Sequence, residues 1–386
     1  MIGLLIAVLY LTFISLGLPD SVLGSAWPTM FLELDVPVSF AGIVSAIIAL
    51  GTIISSLMSD RITKKLGASK TTAISVATTA LALFGFSLCT EFWQICLVAI
   101  PYGLGAGSVD AALNNYVALH FESKHMSWLH CMWGLGAALG PNIMGYVLTS
   151  AGDWHRGYLV ISIIQAVITL IVFISMPIWK KSKTDDTDKS ENKKPLSLKE
   201  ILSIKGAKAV MINFFCYCAF EGTTILWASS YLNLHKGIDA QTAAFFGGLY
   251  VIGITAGRAI SGFVAMKLND TQMTRLGEAI MVGGLLFIIL PLPNAFALVG
   301  IVLFGIGSAP IYPCIIHATP ERFGEDKSQA IIGVQMASAY TGTCLMPSLF
   351  GLIANHISIG LFPVFIGTLL VTSIIVFEVL LKKTAK

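Results

Sequence analysis

The feature that most limits how this chain can fold is its succession of long apolar runs, about 18 to 27 residues each, separated by short polar links. A helix needs about 20 residues to cross the hydrocarbon core of a bilayer. Within that core the chain must satisfy its own backbone polar groups, and for runs of this length the helix does so. Candidate spans lie at residues 2–32, 39–59, 70–89, 93–119, 126–149, 157–178, 207–233, 240–265, 275–292, 295–318, 328–354 and 358–381. The first run is too long for one straight span. Gly17-Leu18-Pro19-Asp20 interrupts it, which predicts a broken or tilted helix. Between 275 and 318 the sole turn signal is Pro291-Leu292-Pro293-Asn294, which fits a tight hairpin. Composition agrees. Of 386 residues, 55% are hydrophobic and 12% charged, against roughly 25% charged in a soluble domain. The expectation is an all-α membrane protein of twelve transmembrane helices in two pseudo-symmetric six-helix bundles.

The net charge of +3 is less informative than its placement. With both termini taken as cytoplasmic, the inner loops and C-terminal tail hold Arg61, Lys64, Lys65, Lys70, Lys124, the nine lysines from Lys180 to Lys208, Lys267, Arg275, Arg322, Lys327, Lys382, Lys383 and Lys386. The outer loops hold Arg156 and Lys236, and Arg258 alone is embedded. This asymmetry follows the positive-inside rule for an even number of spans. It predicts a multi-pass protein of the cell membrane with both ends inside. Residues 1–16 resemble a signal peptide in apolarity. They lack a basic leading segment and a convincing cleavage site, so they read as the first span.

One polar stretch, KKSKTDDTDKSENKKPLSLK at Lys180–Lys199, divides the spans six and six. It reads as a flexible linker with a short surface helix near 196–204. Its mixed charge gives no nucleic-acid site. The domain expectation is 1–178 for one bundle, 179–206 for the linker and 207–386 for the second bundle. Seven cysteines sit mostly within apolar runs without CxxC or metal-ligand spacing, so neither disulfides nor metal are expected, and no cofactor. No nucleophile elbow, zinc helix or phosphate loop is present, which argues against an enzyme.

The halves repeat weakly. Residues 102–121 lie over 304–323 at an offset of 202, with Gly103/Gly305, Gly105/Gly307 and Phe121/Phe323 coinciding. At an offset of 200, Trp27 meets Trp227 and Leu34 meets Leu234, and an acid precedes each tryptophan, Asp20 and Glu221. Two halves with such symmetry suit a transporter with a midplane site.

Charged side chains at the bilayer centre cost at least about 2.5 kcal/mol, so embedded acids need a reason. Asp20, Asp110 and Glu221 stand out. Gly103, Gly107, Asp110 and Asn114 share one small, polar helical face. That face should look into the bundle or a water-filled cavity, or else glue helices together. His130 and Trp133 share a face three residues apart. His130 reads as a ligand, a proton carrier or a structural hydrogen-bonder. Trp133, Trp27 and Trp227 could stack on a sugar ring or anchor the protein at the interface. Tyr312, Gln335, Ser338 and Tyr340 add neutral hydrogen-bonding groups. The expected solute-binding set is Asp20, Asp110, Asn114, His130, Trp133, Glu221, Trp227 and Gln335, with Asp20, Asp110 and Glu221 as proton couplers. Arg258 either snorkels to the interface or pairs with an acid and helps gating.

The stretch Ser56 to Lys65, SLMSDRITKK, resembles the signature loop GxxxDRxGRR/K of the major facilitator superfamily. Asp60, Arg61 and Lys65 match it, while Ser56 and Thr63 replace its glycines and Lys64 an arginine. The resemblance covers the whole chain. It implies the major facilitator fold, with Asp60, Arg61 and Lys65 in a gate that latches the halves on the cytoplasmic side. Asp20 in LGLPDS and Asp110 in GAGSVDAALNN resemble features of the fucose:proton symporter-like branch. That implies proton-coupled uptake of a sugar or sugar derivative by a monomer whose partners are solute, protons and lipid. Proton-coupled drug or metabolite efflux is the alternative, since Gly136 to Gly145 resembles the antiporter signature GxxxGPxxGG, with Met144 in place of its first terminal glycine.

Overall fold

The structure is a computed structural model describing residues 2–179 and 195–385. The expected flexible linker from Lys180 falls largely outside the described residues. The short surface helix at its end is present.

The described residues are helical, without strands. The helices are α1 (Ile2–Gly17), α2 (Val22–Glu33), α3 (Ala41–Leu66), α4 (Ala68–Phe86), α5 (Phe92–His120), α6 (Ser123–Ala151), α7 (Trp154–Trp179), α8 (Leu198–Ser203), α9 (Ala207–Leu234), α10 (Ala240–Val264), α11 (Asp270–Ile289), α12 (Asn294–Ser308), α13 (Ile311–His317), α14 (Thr319–Phe323), α15 (Glu325–Ile353) and α16 (Phe362–Thr384). With α1–α2 and α12–α13 each taken as one broken segment, the described residues hold twelve helical segments of membrane length. A π-helical and a 3-10 turn separate α15 from α16. Large apolar side chains lie exposed along these helices, Leu81 and Ile174 at 70% and Phe245 at 61% among them. In water such a surface would aggregate; facing lipid it needs no cover.

Two compact units divide the chain: one within Met1–His120 and Leu129–Leu196, the other within Phe121–Trp128 and Ser197–Lys386. In the first, α3 and α5 meet backbone to backbone. A side chain on Gly51 would come within 3.1 Å of Leu104 N, and side chains on Gly103 and Gly107 would run into the carbonyls of Ile48 and Thr52. Hydroxyls fill the seam: Thr52 donates to Gly103 O at 3.2 Å, Ser56 to Gly107 O at 3.3 Å, and Ser55 bonds Ser108. At Gly103 and Gly107 this face of α5 is therefore a close contact with α3. Trp27, Phe86, Tyr102, Trp154 and Tyr158 form the core at one end. Asp153 caps α7 by accepting from His155 N at 2.9 Å.

In the second unit α9 packs along α15 and α16, and α11 along α12. A side chain on Gly342 would strike Phe215 O. Ser197 and Glu200 form a reciprocal cap on α8. The opening turns of α6 belong to this unit. Ser123 bonds Asp270, His317 Nε2 bonds Phe121 O at 2.9 Å, and Trp128 Nε1 donates to Ala259 O at 3.1 Å.

Candidate functional site

In the first unit, the helix break falls where Gly17 and Pro19 predict it, between α1 and α2. Asp20 sits in the break and is exposed. Its Oδ2 accepts from Trp133 Nε1 at 2.8 Å. Three residues earlier on α6, His130 is 5% exposed and lies edge-on to Phe13. Its Nε2 is 3.0 Å from Asn114 Oδ1, and Asn114 Nδ2 donates to Asp110 Oδ1 at 2.8 Å. With Asp110 ionised, the Asn114 amide turns its nitrogen to Asp110 and its oxygen to His130, an arrangement that suits a proton on His130 Nε2. One face of α6 thus serves two acids: Asp20 directly through Trp133, Asp110 through His130 and Asn114. Asp110 and Asn114 are buried, at 8% and 0% exposed.

The first break sits on α6 glycines. Side chains on Gly136 and Gly140 would strike the carbonyls of Ile14 and Leu18, and one on Gly17 would meet Ala137 N at 2.8 Å. The residues that resemble an antiporter signature therefore let the broken helix lie against α6. Met144 is fully buried against Gly157.

The second unit holds a separate polar cluster. Arg258 does not snorkel: it is 3% exposed and its Nη2 lies 3.4 Å from Glu221 Oε1. Tyr217, one turn before Glu221, donates to Ser308 O at 3.0 Å, at the α12–α13 break, and lies 3.5 Å from Glu221 Oε1. Trp227 donates to Pro347 O at 3.0 Å and packs on Gly351. Gln335 is fully buried and bonded to Thr319 Oγ1 at 3.2 Å, so its amide is engaged inside the unit. Trp27 is 4% exposed and donates to Val38 O at 2.7 Å, which leaves it no free face for a ring.

Of the gating set, Asp60 is 3% exposed, pairs with Lys64 at 3.0 Å and accepts Leu196 N at 3.2 Å. Arg61 and Lys65 are exposed. Sequence reasoning passed over Tyr217, although its place four residues before Glu221 put both on one face. It also passed over Glu278, an acid in α11 that is 5% exposed beside the Arg275–Glu378 pair. Its nearness to polar Arg275 disguised it as a span end. Among the described residues no three His, Cys, Asp or Glu side chains gather as metal ligands.

Broken helices, a polar chain between helices and a lipid-facing apolar surface define a polytopic membrane protein of the transport class. The chain belongs to the major facilitator superfamily, whose family model matches residues 9–347. Members of that superfamily are transporters, not enzymes. Relatives include a cis,cis-muconate transport protein of Acinetobacter baylyi, 23% identical over 83% of this chain and 80% of its own. The glucose/mannose transporter GlcP of Bacillus subtilis is 21% identical over 90% of this chain and 87% of its own. The quinolone resistance protein NorA of Staphylococcus aureus is 25% identical over 63% of this chain and 62% of its own. In fold, the crystal structure of the E. coli fucose:proton symporter FucP superimposes with a TM-score of 0.77 at 15% identity, over 97% of this chain and 98% of that one.

Proposed function

We propose that this protein moves a small polar solute, a sugar or sugar derivative, across the cell membrane by alternating access, with protons moving in the same direction. The observation that carries the reading is the Asp20–Trp133 hydrogen bond at a helix break, one turn along α6 from the His130–Asn114–Asp110 chain. A sugar offers hydroxyls to carboxylates and amides and an apolar C–H face to an indole. Asp20 combines an ionisable group with exposure, the minimum for taking up and releasing a proton. Asp110 is its partner in coupling. Glu221, already beside Arg258, serves instead to hold the second unit's polar core together. The likeness to GlcP and FucP, named for sugars, supports the solute class. A single charge moved through 100 mV supplies about 2.3 kcal/mol, enough for roughly fifty-fold accumulation. The charge asymmetry of the loops supports termini on the cytoplasmic side.

The test is uptake into proteoliposomes under an imposed pH gradient, with labelled glucose, mannose, fucose and xylose as probes. Asp20→Asn should keep solute exchange and lose pH-driven accumulation, and Asp110→Asn should do the same. Accumulation that survives in both variants sinks the coupling. Efflux of drugs is the second reading, favoured by the glycines from Gly136 to Gly145 and by NorA. It predicts proton-driven extrusion of cationic dyes and no accumulation of any of the four sugars.

A further inference from the structure

The break in the first span strands one particular carbonyl. Proline has no N–H, so the oxygen four residues before Pro19, that of Ser15, receives no donor from its own helix. The neighbouring bonds show where the ladder stops. Leu18 N still reaches Ile14 O at 2.9 Å, whereas Asp20 N turns to Gly17 O at 3.1 Å and Val22 N to Pro19 O at 3.2 Å. Ser15 is 2% exposed, so water does not fill the gap. Its carbonyl is met from another helix. Gln165 on α7, 1% exposed, donates Nε2 to Ser15 O and accepts Ser15 Oγ at Oε1. A broken helix in a bilayer is stable only where neighbours re-satisfy the freed groups.

We infer that Gln165 is a positioning residue for Asp20. Its side-chain amide stands in for the N–H that Pro19 lacks and so keeps the break open, with the Asp20 carboxylate held against Trp133. The consequence for transport rests on the proposed role of Asp20; the brace itself does not. An ordinary interhelical hydrogen bond would be indifferent to residue 19, whereas this one exists because that residue is a proline.

The experiment uses the full chain purified in detergent as Gln165→Met, Pro19→Ala and the double variant. The first readout is the thermal midpoint. Gln165→Met should lose several degrees, Pro19→Ala little. The double variant should recover most of the loss, because an alanine at 19 supplies an N–H to Ser15 O. Losses that simply add, or an unchanged midpoint in Gln165→Met, overturn the brace. If Gln165→Met does not fold, recovery of folded protein in the double variant supports the brace. Failure of both variants while Pro19→Ala folds overturns it.

The second readout needs no known solute. Dicyclohexylcarbodiimide modifies protonated carboxyls, and peptide mass spectrometry follows Asp20 against pH. The midpoint of that curve should move in Gln165→Met. It should stay displaced in the double variant, whose continuous helix turns Asp20 away from Trp133. A curve that superimposes on wild type in both leaves Gln165 a structural residue and overturns its positioning role. Proton-driven accumulation retained by Asp20→Asn would instead refute the coupling role of Asp20 and leave the brace measurements standing.

Discussion

Cutting the Glu221–Arg258 pair from one side should be far more damaging than removing it whole. Removing one partner of a buried ion pair costs about 3–5 kcal/mol, because the other charge stays buried without compensation. The 3.4 Å separation and the 16% exposure of Glu221 put this pair at the low end. For a unit of this size, about 3 kcal/mol corresponds to a fall of roughly 6–12 °C in thermal midpoint. The two single variants should differ. Glu221→Gln takes the carboxylate from a guanidinium that cannot release its proton. Arg258→Met strands a carboxyl that can take one up, so its loss should be smaller and should shrink as the buffer is acidified. The double variant, with both charges replaced at similar volume, should lie within about 1 kcal/mol of wild type. Thermal unfolding of the three proteins at two pH values tests this. Equal single losses that add in the double variant would refute the argument.

Asn114→Ala removes the link between His130 and Asp110 and should weaken solute binding while the protein stays folded; titration calorimetry with the transported sugar measures it. Asp60→Asn should slow the transport cycle more than it weakens binding, as it loses its Lys64 pair and part of its hold on Leu196 N; equal losses in flux and affinity would count against a gating role. Gly140→Leu should abolish folded protein on size-exclusion chromatography, because α1–α2 then cannot lie against α6. At the loop before α7, burial opposes the charge of Asp153, yet hydrogen bonds from His155 hold its carboxyl below the usual carboxylate range. Its stabilising effect should therefore be complete above the ordinary value and fade as pH falls through the lowered one, so Asp153→Asn should flatten the acid limb of the midpoint-against-pH curve.

The periodic apolar runs carried the fold, and the glycine–proline pair placed the first break, because both act within a few residues along the chain. The aspartates were legible for a similar reason: in lipid an isolated charge is conspicuous. What the sequence could not show was which side chain each acid meets. Asp20 and Trp133 are 113 residues apart, and nothing local distinguishes an indole that serves a carboxylate from one that anchors at an interface. Trp27 shows the converse, since its bond to Val38 O makes it a packing residue despite its symmetry with Trp227. Arg258 left two readings open because a long flexible side chain can reach either an interface or an acid, and packing alone decides between them. The Gly103–Asn114 face left two readings open. Small residues suit a water-filled lining and a close helix contact equally well, and Gly103 and Gly107 serve the second while Asn114 meets His130 and Asp110.

The seam between α3 and α5 has a mechanical consequence. Where two helices touch through long side chains, rotamer changes let one slide past the other at little cost. Here Gly51, Gly103 and Gly107 bring main chain against main chain, and Thr52, Ser55, Ser56 and Ser108 stitch the joint with hydroxyl bonds. At these glycines no side chain lies between the two backbones to absorb shear. The two helices form a stiff plank, and a rearrangement of this unit has to carry them together, bending elsewhere.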